Sequence, residues 1–316
     1  MKILKVIFYI IIVLLILYAI INIILDIVLY FKYKKYHLAL DRAFMNKQEC
    51  GKLSCSPDPT DLVKVKPAWS SSYDKNNINY CIGLIQQVYN NKSSNNNITP
   101  PPELSLELSM IYNTNLFGVI WSSKDTIYII FRGTQYIQDW LKDIDFSQIE
   151  SNNNSNINLK HQQVSLYDNN DIKIHQGFNQ IYSDIKDNLL DKLSKINPEK
   201  NKNIIISGHS LGSAIATLCA FNLDNLGYKN VITYVFASPR VGNENFKEAI
   251  KKINLYSIIN DLDLIPTMPL SVTPNFENAD KPYFYYNCGN IVRFSDNWKS
   301  LENNHNLGIY YTNINK

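Results

Sequence analysis

The chain has 316 residues, enough for one large domain or two ordinary ones. With 45% apolar and 19% charged residues it is not a disordered chain overall. Its net charge of +3 includes no long basic run beyond the N-terminal region, so nucleic acid is not an expected partner. Five cysteines (Cys50, Cys55, Cys81, Cys219, Cys288) fall at irregular spacing and make neither a disulfide framework nor paired CxxC metal ligands. Only Cys50 and Cys55 are close enough in sequence to form a local pair, and only in an oxidising compartment.

The first feature along the chain is Val6–Leu25, VIFYIIIVLLILYAIINIIL, apolar apart from Asn22. After Asp26 the apolar character resumes to Phe31. About 20 such residues span the hydrocarbon core of a bilayer as a helix. The run is too long for the apolar region of a secretory signal, and no A-x-A cleavage pattern follows it. No helical register gives it a polar face, which argues against a buried core helix. Residues 1–31 are therefore expected to be a single-pass N-terminal transmembrane anchor. The flanking Lys2 and Lys5 against Lys32, Lys34, Lys35, Arg42 and Lys47 lean toward a cytoplasmic body. Three glycosylation triplets, at Asn91, Asn97 and Asn153, lean the other way, although such triplets arise by chance in a chain so rich in Asn. The side of the membrane stays open.

Residues 32–72, with Pro57, Pro59 and Pro67, read as an extended connector, and 73–316 as the folded body. Asn/Ser-rich stretches at Asn90–Asn97 and Ser151–Asn158 read as exposed loops. Leu104–Tyr112 is expected to be helical. Phe117–Trp121 and Thr126–Phe131 are β-branched and aromatic runs around a polar turn, the pattern of a hairpin. Phe178, Ile181, Ile185, Leu189 and Leu193 recur at helical spacing. Then come a strand at Ile204–Ile206, a helix at Leu211–Leu226 stopped by Gly227, a strand at Val231–Ala237, a helix at Glu244–Lys252 and a strand at Leu255–Ile259. Strand and helix in alternation predict parallel βαβ units and an α/β fold.

The first of these strands runs into Gly208-His209-Ser210-Leu211-Gly212 and then an apolar helix. This is G-x-S-x-G between a strand and a helix, the turn that holds a nucleophilic Ser above a sheet edge. Such a turn leaves no room for Cβ atoms two residues either side, and it places Ser210 at a helix N-terminus that favours negative charge. His209 is too close in sequence to act as a base and is expected to pack beside the turn. When the partners follow the nucleophile as acid and then His, the order selects the base at once. His37, His161, His175 and His209 precede or abut Ser210, and His305 alone follows it, in a polar loop suited to a mobile base. The acid falls between them, at the end of a strand. Asp261 and Asp263 both follow Leu255–Ile259; Asp263 is favoured because Leu264, Ile265 and Pro266 stiffen its loop, while Asp261 suits a turn cap. Asp280 and Asp296 are less well placed.

An acyl-transfer Ser also needs donors aimed at the developing oxyanion. The backbone N–H of Leu211 is one. Thr134, after Thr126–Phe131 and Arg132-Gly133, offers a backbone N–H and a hydroxyl as the second. Gln135–Leu141, with Tyr136, Ile137, Trp140 and Leu141, has the amphipathic pattern of a short lid; the plainer reading places Trp140 in the core.

From about Leu104 to Tyr311 these blocks resemble the class 3 lipases, fungal-type triacylglycerol lipases of the α/β-hydrolase superfamily. The resemblance is carried by Phe131-Arg132-Gly133-Thr134 with Asp139-Trp140, His175-Gln176-Gly177-Phe178, the Ser210 pentapeptide, Asp263-Leu264-Ile265-Pro266, and His305 before Tyr310. It implies a Ser210–Asp263–His305 triad, an oxyanion hole at Thr134 and Leu211, and a lid after Thr134. It implies hydrolysis of acylglycerol or related esters with no metal and no cofactor, and a structural His175. The substrate is then a lipid ester at a membrane or lipid interface, with no obligate protein partner. A phospholipase or short-chain esterase is the alternative within that chemistry, and a silent, membrane-tethered binding protein the alternative outside it. Ser213 stands where the family usually has a second Gly, and the disulfides of secreted members have no clear counterparts.

Overall fold

The computed structural model describes residues 59–91, 98–134, 147–150, 172–275 and 281–316. Val6–Leu25, Cys50, Cys55, the 135–141 and 151–158 segments, Asn97, Asn153 and Asp280 lie outside these residues. Among the described residues no helix is long and apolar enough to cross a membrane.

A seven-stranded sheet organises the body. Strands β1 (Ser105–Tyr112), β2 (Asn115–Ser122) and β3 (Thr126–Phe131) form an antiparallel meander. Two short pieces, β4 (Gln148–Glu150) and β5 (Lys173–His175), pair separately. From β3 the main sheet continues in parallel through β6 (Asn203–His209), β7 (Val231–Phe236) and β8 (Leu255–Asn260). A further small pair, β9 (Val272–Thr273) and β10 (Tyr283–Phe284), precedes β11 (Asn290–Phe294), which closes the sheet parallel to β8. The helices are α1 (Lys75–Asn90), α2 (Gln176–Ile196), α3 (Leu211–Asn225), α4 (Glu244–Ile250) and α5 (Leu307–Ile314).

The central strands are apolar runs because both of their faces are covered. Alternate residues of β3 divide between two cores. Ile127, Ile129 and Phe131 meet α2 and α3 residues such as Leu189, Ala214 and Leu218. Tyr128 and Ile130 meet Ile78, Leu84 and Ile85 of α1, in the same cluster as Tyr310 of α5.

Most of the expected elements are present within a residue or two, including the hairpin and the helix stopped at Gly227, which takes the left-handed φ of +83° just past α3. Leu104–Tyr112 is a correction: it is strand β1, not a helix. Leu104, Leu106, Leu108 and Met110 recur at every second residue, and that period outweighs their helix-forming composition. Helix α1 is not among the expected elements, although it carries helical spacing at Ile78, Cys81, Ile82 and Ile85 and an N-cap, Asp74, whose side chain accepts from Asn77 N–H at 2.7 Å. The end of the 32–72 stretch is stitched to the body. Ala68 O accepts from Asn77 Nδ2 (2.8 Å), Ser71 O from Asn254 Nδ2 (2.6 Å) and Ser72 O from the Tyr234 hydroxyl (2.9 Å). Cys81, Cys219 and Cys288 are free and buried, and burial pushes each thiol up to about 12.

Candidate active site

Ser210 is the single residue between β6 and α3. Its backbone sits at φ +58°, ψ −129°, a strained conformation for a residue with a side chain, and only 2% of its surface is exposed. The flanking glycines are required by close approach. A Cβ on Gly208 would strike the backbone of Gly212, and one on Gly212 would lie 2.5 and 2.6 Å from the carbonyl oxygens of Arg132 and Phe131. Ser213 ties this turn together from below. Its hydroxyl lies 2.7 Å from both Gly208 O and Phe236 O, and its oxygen accepts from Phe236 N–H at 3.1 Å. The residue that departs from the family pattern is thus a polar bridge between β6, β7 and α3.

The register of β3 on β6 pairs Phe131 with Gly208, so Arg132-Gly133-Thr134 leave the sheet directly beside the turn. Arg132 is buried, with Nε donating to Leu116 O at 2.5 Å and Nη1 to Gly133 O at 2.7 Å. In a trans peptide the C=O and N–H point in opposite directions, so this grip on Gly133 O also fixes the direction of the Thr134 N–H. Leu211 is buried at the first turn of α3, where backbone N–H groups lack intrahelical acceptors.

Asp263 and His305 meet. Asp263 lies on the loop after β8 and His305 just before α5. Asp263 Oδ2 accepts from His305 Nδ1 at 2.7 Å and from the Tyr310 hydroxyl at 2.7 Å, and its Oδ1 accepts from Ile265 N–H at 3.0 Å. The pair is buried, with 2% of Asp263 and 7% of His305 exposed. A carboxylate on Nδ1 puts the ring proton there and leaves the lone pair on Nε2. His305 Nε2 is buried and has no hydrogen-bond partner among the described residues. Burial, and then the neighbouring Asp263, push the Tyr310 hydroxyl well above its ordinary pKa, so it stays a donor.

Asp261 points elsewhere. Its oxygens take Arg293 Nη1 at 2.7 Å and Ser295 Oγ at 2.9 Å in an exposed pair, and the Arg293 hydrogen bond holds its carboxyl below the usual range. Asp296 bonds Asn313 and Lys316. His175 caps α2, its Nδ1 accepting from Phe178 N–H at 3.3 Å, the structural place the resemblance implies.

His305 does not lie in a solvated polar loop, as its sequence neighbours suggest. Asn304 Oδ1 accepts from Trp298 N–H at 2.6 Å, its Nδ2 donates to Leu262 O at 3.0 Å, and Asn260 Nδ2 donates to Asn304 O at 3.1 Å. These amides are internal brackets that hold the Asp263 and His305 loops against each other. In the sequence Tyr310 is marked only by the resemblance, and Tyr89 carries no signal at all.

A Ser on a strained strand–helix turn, with a paired Asp and His on loops after later parallel strands, defines the α/β-hydrolase class. Residues 128–273 match the family model "Lipase (class 3)". The chain is 29% identical over 168 residues to a lipase of Rhizomucor miehei, covering 51% of this chain and 42% of the relative. It is 30% identical over 210 residues to the secreted mono- and diacylglycerol lipase LIP1 of Malassezia globosa, covering 63% of this chain and 65% of the relative. The chain therefore spans less than two thirds of either relative's length. The fold is similar to that of the Rhizomucor miehei lipase–propeptide complex, with a TM-score of 0.51 at 22% identity over 78% of this chain and 80% of that one.

Proposed function

We propose that the chain is a serine hydrolase of acylglycerol-type carboxylic esters, held at a membrane by residues 1–31. The observation that carries the chemistry is the buried 2.7 Å contact of Asp263 Oδ2 with His305 Nδ1, in a fold that sets Ser210 on its strained turn. Ser210 Oγ attacks the ester carbonyl while His305 Nε2 takes its proton. The tetrahedral oxyanion is met by the N–H groups of Leu211 and Thr134. His305 then returns the proton to the leaving alcohol, and water hydrolyses the acyl-enzyme by the same path in reverse. Asp263, held by Tyr310 and Ile265, keeps the imidazole in the productive tautomer throughout.

Membrane tethering rests on the sequence of Val6–Leu25. It raises the local concentration of enzyme at a lipid surface.

The test has two arms. A fluorophosphonate probe should label wild type and not Ser210→Ala, and Ser210→Ala should lose nearly all activity on a panel of emulsified triacylglycerol, diacylglycerol, phospholipid and soluble p-nitrophenyl esters. Ser210→Ala activity within tenfold of wild type sinks the assignment, and the panel ranks acylglycerol against phospholipid and short-chain esters. Separately, a chain lacking residues 1–31 should leave the membrane fraction yet keep its activity on the soluble ester. Loss of that activity would place the segment in the catalytic fold.

A further inference from the structure

Tyr89 at the end of α1 and His209 on β6 join the two sides of the site through one hydrogen-bonded chain. The Gly133 N–H donates to the Tyr89 hydroxyl oxygen at 2.7 Å, Tyr89 Oη lies 2.9 Å from His209 Nδ1, and His209 Nε2 lies 2.9 Å from the carbonyl oxygen of His305. The ends fix the direction of every proton. A backbone N–H only donates and a carbonyl only accepts, so Nε2 of His209 carries the hydrogen, Nδ1 accepts, and the Tyr89 hydroxyl donates to it. The chain runs from the residue before Thr134 to the main chain of the imidazole-bearing residue, passing through the residue before Ser210. The His209 and His305 rings also face each other at a tilt, with centroids 4.5 Å apart.

We propose that Tyr89 and His209 are positioning residues for the hydrolysis, a clamp that sets the oxyanion loop and the base at a fixed spacing about Ser210. This rests on the reading of Ser210, Thr134 and His305 given above. The geometry leaves the clamp little slack. A Cβ on Gly133 would lie 2.5 Å from Tyr89 Oη and 2.8 Å from Ser210 Cβ, so the loop is seated against both the clamp and the nucleophile. Burial, and then the adjacent His305, hold His209 well below the usual histidine range, which keeps it neutral and keeps Nδ1 an acceptor. The donors on the Asp263 carboxylate are Ile265, His305 and Tyr310, so the clamp acts on placement and leaves the tautomer of His305 to Asp263.

Misplacement of reacting groups by about 1 Å costs on the order of 10²-fold in rate. His209→Phe, which removes both bonds, should therefore lower kcat about a hundredfold on a soluble p-nitrophenyl ester with KM changed less than about threefold. Tyr89→Phe should lower kcat about tenfold, and His209→Gln, whose amide can still donate to His305 O, should recover most of the His209→Phe loss. The double variant Tyr89→Phe/His209→Phe should be no slower than His209→Phe alone, because the two residues act as one unit.

The experiment measures kcat, KM and urea stability of these full-length variants beside Ser210→Ala. Should His209→Phe fail to fold, Tyr89→Phe and His209→Gln still decide the matter. An inactive Ser210→Ala with Tyr89→Phe at wild-type kcat overturns the clamp and leaves the hydrolase reading standing. Losses that follow stability alone, without rescue by Gln, overturn it as well. An active Ser210→Ala overturns the hydrolase reading itself.

Discussion

Replacing Asp263 by Asn changes one oxygen to an NH₂ at a position where three donors converge. Ile265 N–H, His305 Nδ1–H and the Tyr310 hydroxyl all need an acceptor from this side chain. Asn has one oxygen. If that oxygen stays with Ile265, the NH₂ faces His305 and must donate to Nδ1, which drives the ring proton to Nε2. A protonated Nε2 on a neutral ring accepts nothing from Ser210, and the corresponding change in a serine protease costs about 10⁴ in kcat. If instead the amide flips, the NH₂ opposes the Ile265 N–H and leaves a buried donor without a partner, at about 1–3 kcal/mol. The first arrangement displaces only the Tyr310 hydroxyl hydrogen, which can rotate to another acceptor as a backbone N–H cannot, so the inactive tautomer should dominate. Asp263→Asn should then lower kcat on a soluble p-nitrophenyl ester by about three to four orders of magnitude while KM moves little. Asp261→Asn is the control. It loses an exposed pair with Arg293 worth about 0–1 kcal/mol and should keep activity within about twofold. Asp263→Asn activity within tenfold of wild type, or a larger loss in Asp261→Asn, would refute the reasoning.

Tyr310→Phe removes one of the two donors on Asp263 Oδ2 and the acceptor of Asn260 N–H; kcat should fall about tenfold with a stability loss of about 1–3 kcal/mol, read from steady-state kinetics and urea unfolding. Ser213→Ala removes the bridge beneath Ser210 and should cost about 1–3 kcal/mol by urea unfolding, an effect absent if Ser213 only fills space. His209 is held neutral in the fold while the unfolded chain takes a proton below about pH 6.5, so the unfolded state binds more protons there. Stability should accordingly fall as pH drops through about 6.5, by up to about 1.4 kcal/mol per pH unit for this one group. Urea unfolding of His209→Gln between about pH 7 and 5 should show a slope shallower by about one proton, and an unchanged slope would refute the assignment of a neutral, buried His209.

The parts of the site written as local pattern are legible in the sequence alone. Two glycines between a strand and a helix mark Ser210, and His305 is the sole histidine beyond it. Asp263 and Asp261 differ in sequence only by the neighbours of each, and it takes the approach of His305 across 42 residues to distinguish them. Strand β1 is easily mistaken for a helix because leucine, glutamate and methionine favour helices in isolation, while their alternation points to a sheet. Tyr89 cannot be found from sequence. Its role depends on α1 bringing its hydroxyl to a histidine 120 residues away, and no motif surrounds it. The abundance of asparagine hides Asn260 and Asn304, since a buried amide bracket and a solvated loop residue look the same in a chain so rich in Asn.

The six consecutive pairs from Thr126–Asn203 to Phe131–Gly208 carry a consequence for how this gene can vary. Thr134 and Ser210 are each reached by counting a fixed number of residues from those pairs. Shifting one strand by a single residue moves its end by about 3.3 Å and turns every side chain to the opposite face. That displacement exceeds the few tenths of an ångström within which an oxyanion donor works. Deletion of one codon within 126–131 or 203–208 should therefore abolish the proposed hydrolysis, whereas gains and losses in the Asn-rich stretches at 92–97 and 151–158 fall outside the counted segments. Closing a longer connection costs only about 0.6 kcal/mol per doubling. Insertions and deletions among natural variants should collect in those stretches and be absent from the two strands.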